Sequence, residues 1–353
     1  MINQPIYTGT WGNCHIQGIA VDKKQGYIYY SFTTKLVKST LDGKIIGSYD
    51  GLIGHLGCIA FNEDDGCVYG SLEYKNDSIG KGILGAIKSL ASFDNAFYVA
   101  KFDVDKIDRI GMTAEDGDVM ECVYLREVVE DYMAEVTAPD GSRLQHRYGC
   151  SGIDGLTLAP LPGEPADSKK HLLVSYGIYL DESRQDNDYQ VILCYDISEW
   201  SRFFRPLDQN NMHSKGPSSP LHKFFVYTGN TCYGVQNLEY DRYTNSVFMA
   251  VYRGKKPSFP NYDLFAIDMT VAPQKALLRG IGEYGECLTL AQMGDHHTES
   301  GVRGWRFPYG STGMFSFGDG SWLFSENRKT TAGQCSYIFG YEWNGKAPFV
   351  TKG

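Results

Sequence analysis

His15-Ile16-Gln17-Gly18-Ile19-Ala20-Val21-Asp22 decides the fold, because the chain returns to it four more times. The second copy is His55-Leu56-Gly57-Cys58-Ile59-Ala60-Phe61-Asn62, and a looser third is Gly152-Ile153-Asp154-Gly155-Leu156-Thr157-Leu158. The fourth reads Gly234-Val235-Gln236-Asn237-Leu238-Glu239-Tyr240-Asp241, and the fifth Ser311-Thr312-Gly313-Met314-Phe315-Ser316-Phe317. Each opens on a polar or glycine-rich entry and then alternates apolar residues, the period of a strand with one face turned inward. Self-similarity along the whole chain outweighs any segment-by-segment reading.

Other repeats lie between these anchors. At the end of the next strand come Ser31-x-x-x-Lys35, Ser71-x-x-x-Lys75, Ser175-x-x-x-Tyr179, Val251-x-x-x-Lys255 and Ser325-x-x-x-Lys329. A third strand ends on an aspartate in Phe102-Asp103, Tyr195-Asp196 and Ile267-Asp268, and a fourth follows in Lys44–Tyr49 and Lys223–Tyr227. Four strands per unit, repeated five times, describe an all-β, five-bladed β-propeller, read as one domain over residues 1–353. Pro5-Ile6-Tyr7-Thr8-Gly9 is similar to Phe225-Val226-Tyr227-Thr228-Gly229, so the N-terminal strand is expected to close the last blade. Ala347-Pro348-Phe349-Val350 competes for that place.

Composition agrees with many short strands and turns: 14% of residues are aromatic, and there are 40 glycines. A net charge of −9 argues against a nucleic-acid binder, which needs a basic face. No apolar run approaches spanning length, so no membrane partner is expected. The nine cysteines include no Cys-x-x-Cys pair and read as reduced thiols, which suits a cytoplasmic protein.

If strands run outward from the axis, the loops between fourth and first strands share a face with those between second and third strands. That face carries the longest elaborations, and residues 82–91, 181–189, 254–262, 294–310 and 326–334 belong to it. The other face gains one excursion, 199–220. Rigid scaffolds carry function on loops, so the site is expected at the decorated mouth.

The third anchor position faces that mouth and reads Gln17, Gly57, Asp154, Gln236 and Gly313. Here the blade plan resembles the calcium-activated nucleotidases (apyrases), five-bladed propellers with a calcium ion on the axis. The resemblance implies a calcium ion held by Gln17, Asp154 and Gln236, although only Asp154 is a carboxylate. His15, His55, His297 and Asp154 are candidate catalytic residues, because imidazole and carboxyl groups can move protons. Lys35, Lys75, Lys255 and Lys329 recur at one register and are expected to ring the opening with Arg253 and Arg328, with Tyr179 as a gap in the ring. Arg303 and Trp305 in 294–310 would form a stacking lid. Together these residues predict a metal-assisted hydrolase or lyase for a small anionic or sugar-like molecule. The alternative is a non-catalytic ligand-binding or protein-interaction propeller.

Overall fold

The computed structural model describes residues 2, 4–12, 14–113, 118–138, 141–229 and 232–351. Five blades surround one axis, and their innermost strands are Ile16–Asp22, His55–Asn62, Cys150–Ala159, Val235–Asp241 and Met314–Ser316. All five anchors therefore stand where the repeat places them. These strands are buried almost throughout, because each packs between two neighbouring blades. Where the anchor ends in Asp22, Asn62 or Asp241, the side chain accepts backbone N–H groups two or three residues on and turns the chain into the next strand.

The first blade is the plain case, Ile16–Asp22, Tyr27–Phe32, Lys35–Thr40 and Ile45–Tyr49 in spatial order. The second adds a helix, Ser78–Ala86, after its second strand; Asp77 caps it by accepting the Gly80 N–H at 2.8 Å. This helix overlaps the elaboration expected at 82–91 but starts earlier, and Leu90 beyond it is fully exposed.

The fourth blade departs from the plan. Its outer strand is broken, with Leu290 bridging Ile267 and Trp305 bridging Leu264, and the hairpin Asp295–His297/Val302–Gly304 fills the break. Part of the expected 294–310 loop is therefore the blade's own edge. A second hairpin, Gln274–Leu277/Tyr284–Cys287, crosses to the third blade and pairs in parallel with its outer strand, so that Phe224 meets Glu286.

The excursion 199–220 packs one side against the second blade and leaves the other exposed. Arg205–Pro206 adds a fifth strand to the second blade, and Trp200, Phe204 and Leu207 are buried. Gln209 then accepts the Ile53 N–H at 2.9 Å and the Tyr74 hydroxyl at 2.9 Å. The segment wraps the second blade's outer edge.

Both termini close the ring. The last blade's third strand, Gly333–Trp343, pairs with Ile6–Thr10 through Ile338 and with Phe349–Thr351 through Tyr341. The two terminal pieces run in the same direction, one after the other, along that strand.

The recurrent spacing of Ser-x-x-x-Lys turns out to serve the serines. Ser31 Oγ donates to Gly57 O at 2.6 Å, Ser71 Oγ to Asp154 O at 2.6 Å, and Ser175 Oγ reaches Val235 O at 3.5 Å. Each hydroxyl thus ties its blade to the next inner strand. Where the fourth blade has Val251, aromatic packing takes over: Phe248, Trp305, Trp322, Trp343 and Phe349 interlock between blades four and five. The axis itself is plugged at mid-height. Cys58 Sγ approaches Leu156 O at 3.3 Å, and Asn237 Nδ2 spans to Gln17 O at 2.7 Å and Ser311 O at 3.2 Å.

Among the described residues no helix is long and apolar enough to cross a membrane.

Candidate active site at the axial mouth

Above the plug, a cavity of about 260 Å³ opens on the decorated face. The first four blades line it, with His15 and Gln17, then His55, Glu73, Lys75 and Ile79, then Ser151, Ile153, Asp154 and Gly177, and last Tyr233, Gln236 and Tyr252. Six of the expected residues meet here: His15, Gln17, His55, Lys75, Asp154 and Gln236.

Glycines make room for the acids. A Cβ on Gly57 would lie 2.2 Å from Asp154 Oδ1, and one on Gly152, at φ +116°, would lie 2.1 Å from Glu73 Oε2. The empty place at Gly57 in the third-position ring, and Gly152 at the entry of the third copy, are thus part of the site's shape. Glu73 sits opposite His55 across the strand pair, and its Oε1 meets Lys75 Nζ at 2.5 Å and His55 Nδ1 at 3.5 Å. Its Oε2 accepts the Ile153 N–H at 3.0 Å, while Lys75 also donates to Ser151 O at 2.8 Å. This ion pair is wholly shielded from water and joins blades two and three.

Burial dominates the electrostatics. It pushes the Asp154 carboxyl up to about 7, with Glu73 adding to the rise, while His55, Lys75 and the Gln236 amide oppose it. Asp154 Oδ1 is buried and has no hydrogen-bond partner among the described residues. Burial alone would lower His55, but the charges of Asp154 and Glu73 outweigh it and hold the imidazolium above its usual range. For Glu73 the burial penalty is outweighed by Lys75 and His55, so its carboxylate stays ionised below the usual range. His15 is lowered by burial, and its Nδ1 bonds Ile16 O at 2.8 Å, which requires Nδ1–H and leaves the lone pair on Nε2. Tyr233 is held at φ +61°, and its carbonyl accepts the Gln236 amide at 3.0 Å. A strained residue at the rim of a cavity is typical of a binding site.

The lysines do not form a ring. In the second blade the strand runs to Tyr74 and keeps Ser71, Glu73 and Lys75 on one face, with Glu73 and Lys75 at the cavity, whereas the last blade's strand Ser321–Thr330 runs on and carries Lys329 out to an exposed tip. The first blade turns after Phe32, so Lys35 begins the next strand, 3.5 Å from Asp50 and over the Trp11 ring. Lys255 and Lys329 are exposed, and neighbouring Lys256 is the buried one, bonded to Asn187 Oδ1 at 2.8 Å and to Asp188. Arg253 is forked onto Asp263, and Arg328 lies over the Tyr337 ring. Tyr179 donates to Asp77 at 2.5 Å, behind the cavity wall.

The lid fails for a similar reason. Trp305 is 2% exposed in the core between blades four and five, and Arg303 and His297 sit on the outer hairpin. His297 there pairs with Glu299 at 3.1 Å and bonds Ser300 at 2.8 Å. Glu73, Tyr233 and Tyr252 are the site residues that the repeat pattern did not single out. The alternation Ser71, Glu73, Lys75 was the available signal, since period-two spacing puts all three on one face.

The cation ligand set is sparse. A calcium ion takes about six to eight oxygen ligands. The ring offers one carboxylate and two amides, whose NH₂ groups are engaged with Thr33 and Tyr233 O, in a cavity shared with Lys75. Among the described residues no His, Cys, Asp or Glu side chains assemble as a metal-binding group of three or more.

No protein-family model and no curated protein matches the chain. Among solved structures, the chain is similar to a GH43 β-1,3-galactosidase solved with galactodeoxynojirimycin, at 11% identity and TM-score 0.43 over 96% of this chain and 95% of that one. It is also similar to the PQQ domain of pyranose dehydrogenase from Coprinopsis cinerea, at 11% identity and TM-score 0.35 over 91% of this chain and 81% of that one. Likeness at this level carries no argument about chemistry, and the blade count above rests on strand pairing alone.

Proposed function

We propose that the axial mouth is the acid–base site of a hydrolase acting on a small, uncharged, sugar-like molecule. The observation that carries this reading is Asp154, a buried carboxyl with an unpartnered oxygen, set beside His55 in a cavity of single-sugar size. A carboxyl near neutral pKa can hold a proton at pH 7 and give it to a leaving oxygen. His15, with its free Nε2 lone pair, is the base that draws a proton from the attacking water as the glycosidic bond breaks and Asp154 protonates the leaving oxygen. His55 steadies Asp154 once the proton has gone.

Neutral ligands fit better than anions because Glu73 Oε1 lies between the cavity's two cationic side chains, against Lys75 and 3.5 Å from His55, so each already faces a carboxylate. Gln17, Gln236 and Tyr252 supply hydrogen bonds and an aromatic wall for hydroxyl-bearing rings. The chemistry runs on protein groups, and the sparse donor set gives a cation no step.

The test is turnover of a panel of uncharged chromogenic glycosides. Asp154→Asn is expected to lower the rate by about 10²–10⁴-fold with melting temperature preserved. Lys255→Ala and Lys329→Ala should leave the rate unchanged, and so should added calcium or a chelator. Sugar binding without turnover would establish the non-catalytic alternative, and Asp154→Asn at full rate would remove Asp154 from the mechanism.

A further inference from the structure

The opposite end of the axis holds a second, larger cavity of about 620 Å³, walled by all five inner strands. Its shape can be read from the anchor. Three residues beyond the ring that faces the first site, the second to fifth copies of the repeat read Ala60, Thr157, Glu239 and Ser316, and all four line the cavity, with Ile19 and Val21 from the first blade. Three small residues and one glutamate leave an open floor with a single carboxyl. Glu239 is 8% exposed, and its Oε1 accepts the Ser316 N–H at 2.8 Å. No cation forms an ion pair with it among the described residues.

Around that carboxyl stand the half-buried rings of Phe61, Tyr240, Phe315 and Phe317. Aromatic faces beside a buried acid favour a cation, through the ring quadrupole. Yet the rim is basic. Lys23 is spent on Glu63 at 3.0 Å and Lys169 on Asp196 at 2.6 Å, whereas Lys170 and Arg242 have no ion-pair partner among the described residues. A plain amine would meet those two charges on its way in, and a plain acid would be left facing Glu239. A molecule carrying both charges satisfies both ends.

We propose that this cavity binds a small zwitterion, a free amino acid or a betaine, with its ammonium group on Glu239 and its carboxylate at Lys170 and Arg242. The site is independent of the acid–base mouth, from which Cys58 and Asn237 separate it.

Binding has a proton signature. Burial, with Asp241 adding, raises the Glu239 carboxyl to about 8, while the Ser316 N–H, Lys170 and Lys23 oppose the rise too weakly to cancel it. Exposed Asp64, Asp167 and Arg242 complete the charges facing the cavity. At pH 7 Glu239 is therefore neutral, and an arriving ammonium group must displace its proton into the buffer. Affinity should rise from pH 6 to pH 8 and then level off.

Isothermal titration with glycine betaine, whose cation carries no proton, and with the standard amino acids tests this directly. In two buffers of different ionisation enthalpy at pH 7, the expected result is release approaching one proton per ligand, vanishing at pH 9. Amines lacking the carboxylate and acids lacking the ammonium group should bind at least tenfold more weakly. Glu239→Gln, which keeps the acceptor for Ser316, should lose at least tenfold in affinity and all proton release. The exposed changes Lys170→Gln and Arg242→Gln should weaken binding without lowering the melting temperature, and Asp154→Asn should leave it intact. No binding by any of these ligands at millimolar concentration would overturn the proposal, leaving Glu239 as a cap for Ser316. Equal binding of the acid analogues, or binding without proton release, would overturn it as well.

Discussion

Asp154 and Glu239 stand on neighbouring inner strands, facing opposite ends of the axis, and both hold protons that an exposed carboxylate would have lost. A carboxyl raised in the folded state binds more protons there than in the unfolded chain, so it lowers stability as pH rises toward its folded pKa. For Asp154 that window ends near 7 and for Glu239 near 8. Raised His55 acts in the same direction, since its stabilising charge is lost as pH climbs past its folded value. Lowered His15, His146, His171 and His213 act oppositely, but only below the ordinary histidine range. The step from pH 7 to pH 8 therefore isolates Glu239, with smaller parts from Asp154 and His55. Urea unfolding should show stability falling by about 1 kcal/mol across it. Glu239→Gln should remove most of that fall; a slope unchanged in the variant would mean that Glu239 is already ionised.

Strands and loops show where sequence reasoning works and where it stops. The five inner strands were legible because each anchor must alternate in the same register to reach the same axis. The inward-facing third position also delivered Gln17, Asp154 and Gln236 to one cavity. Loop length was not legible in the same way. Ser-x-x-x-Lys looked like one unit, but the chain turns after Phe32 in the first blade and runs on to Tyr74 in the second, which sends Lys35 and Lys75 to different surroundings. Trp305 was misplaced because a broken edge strand has no periodicity to read. Its surroundings now give a sharp test. Trp305→Ala should cost about 3–5 kcal/mol, as core aromatic truncations do, while leaving sugar turnover per folded molecule unchanged. A small loss of stability with a large loss of turnover would restore it to the mouth.

At the scale of the molecule, the ring depends on joints of different kinds. Serine hydroxyls link the first three blades to their successors, the crossing hairpin Tyr284–Cys287 links the third and fourth, and an aromatic block links the fourth and fifth. The last joint is the pair of end pieces laid along Gly333–Trp343, where Thr8 and Ser336 exchange hydrogen bonds of 3.1 Å. Because Phe349–Thr351 and Ile6–Thr10 run head to tail on one partner, the outermost strand is a single strand interrupted by a nick. The fold is topologically a circle, and the position of its opening is arbitrary. A circular permutant whose ends are joined by a short glycine–serine bridge, and reopened in the exposed turn at 298–299 of the outer hairpin, should fold to the same propeller and retain both axial cavities. Its melting temperature should match or exceed that of the parent chain, because a non-covalent joint has become covalent. A permutant that fails to fold would show that the nick, and not the ring, sets the order in which the blades assemble.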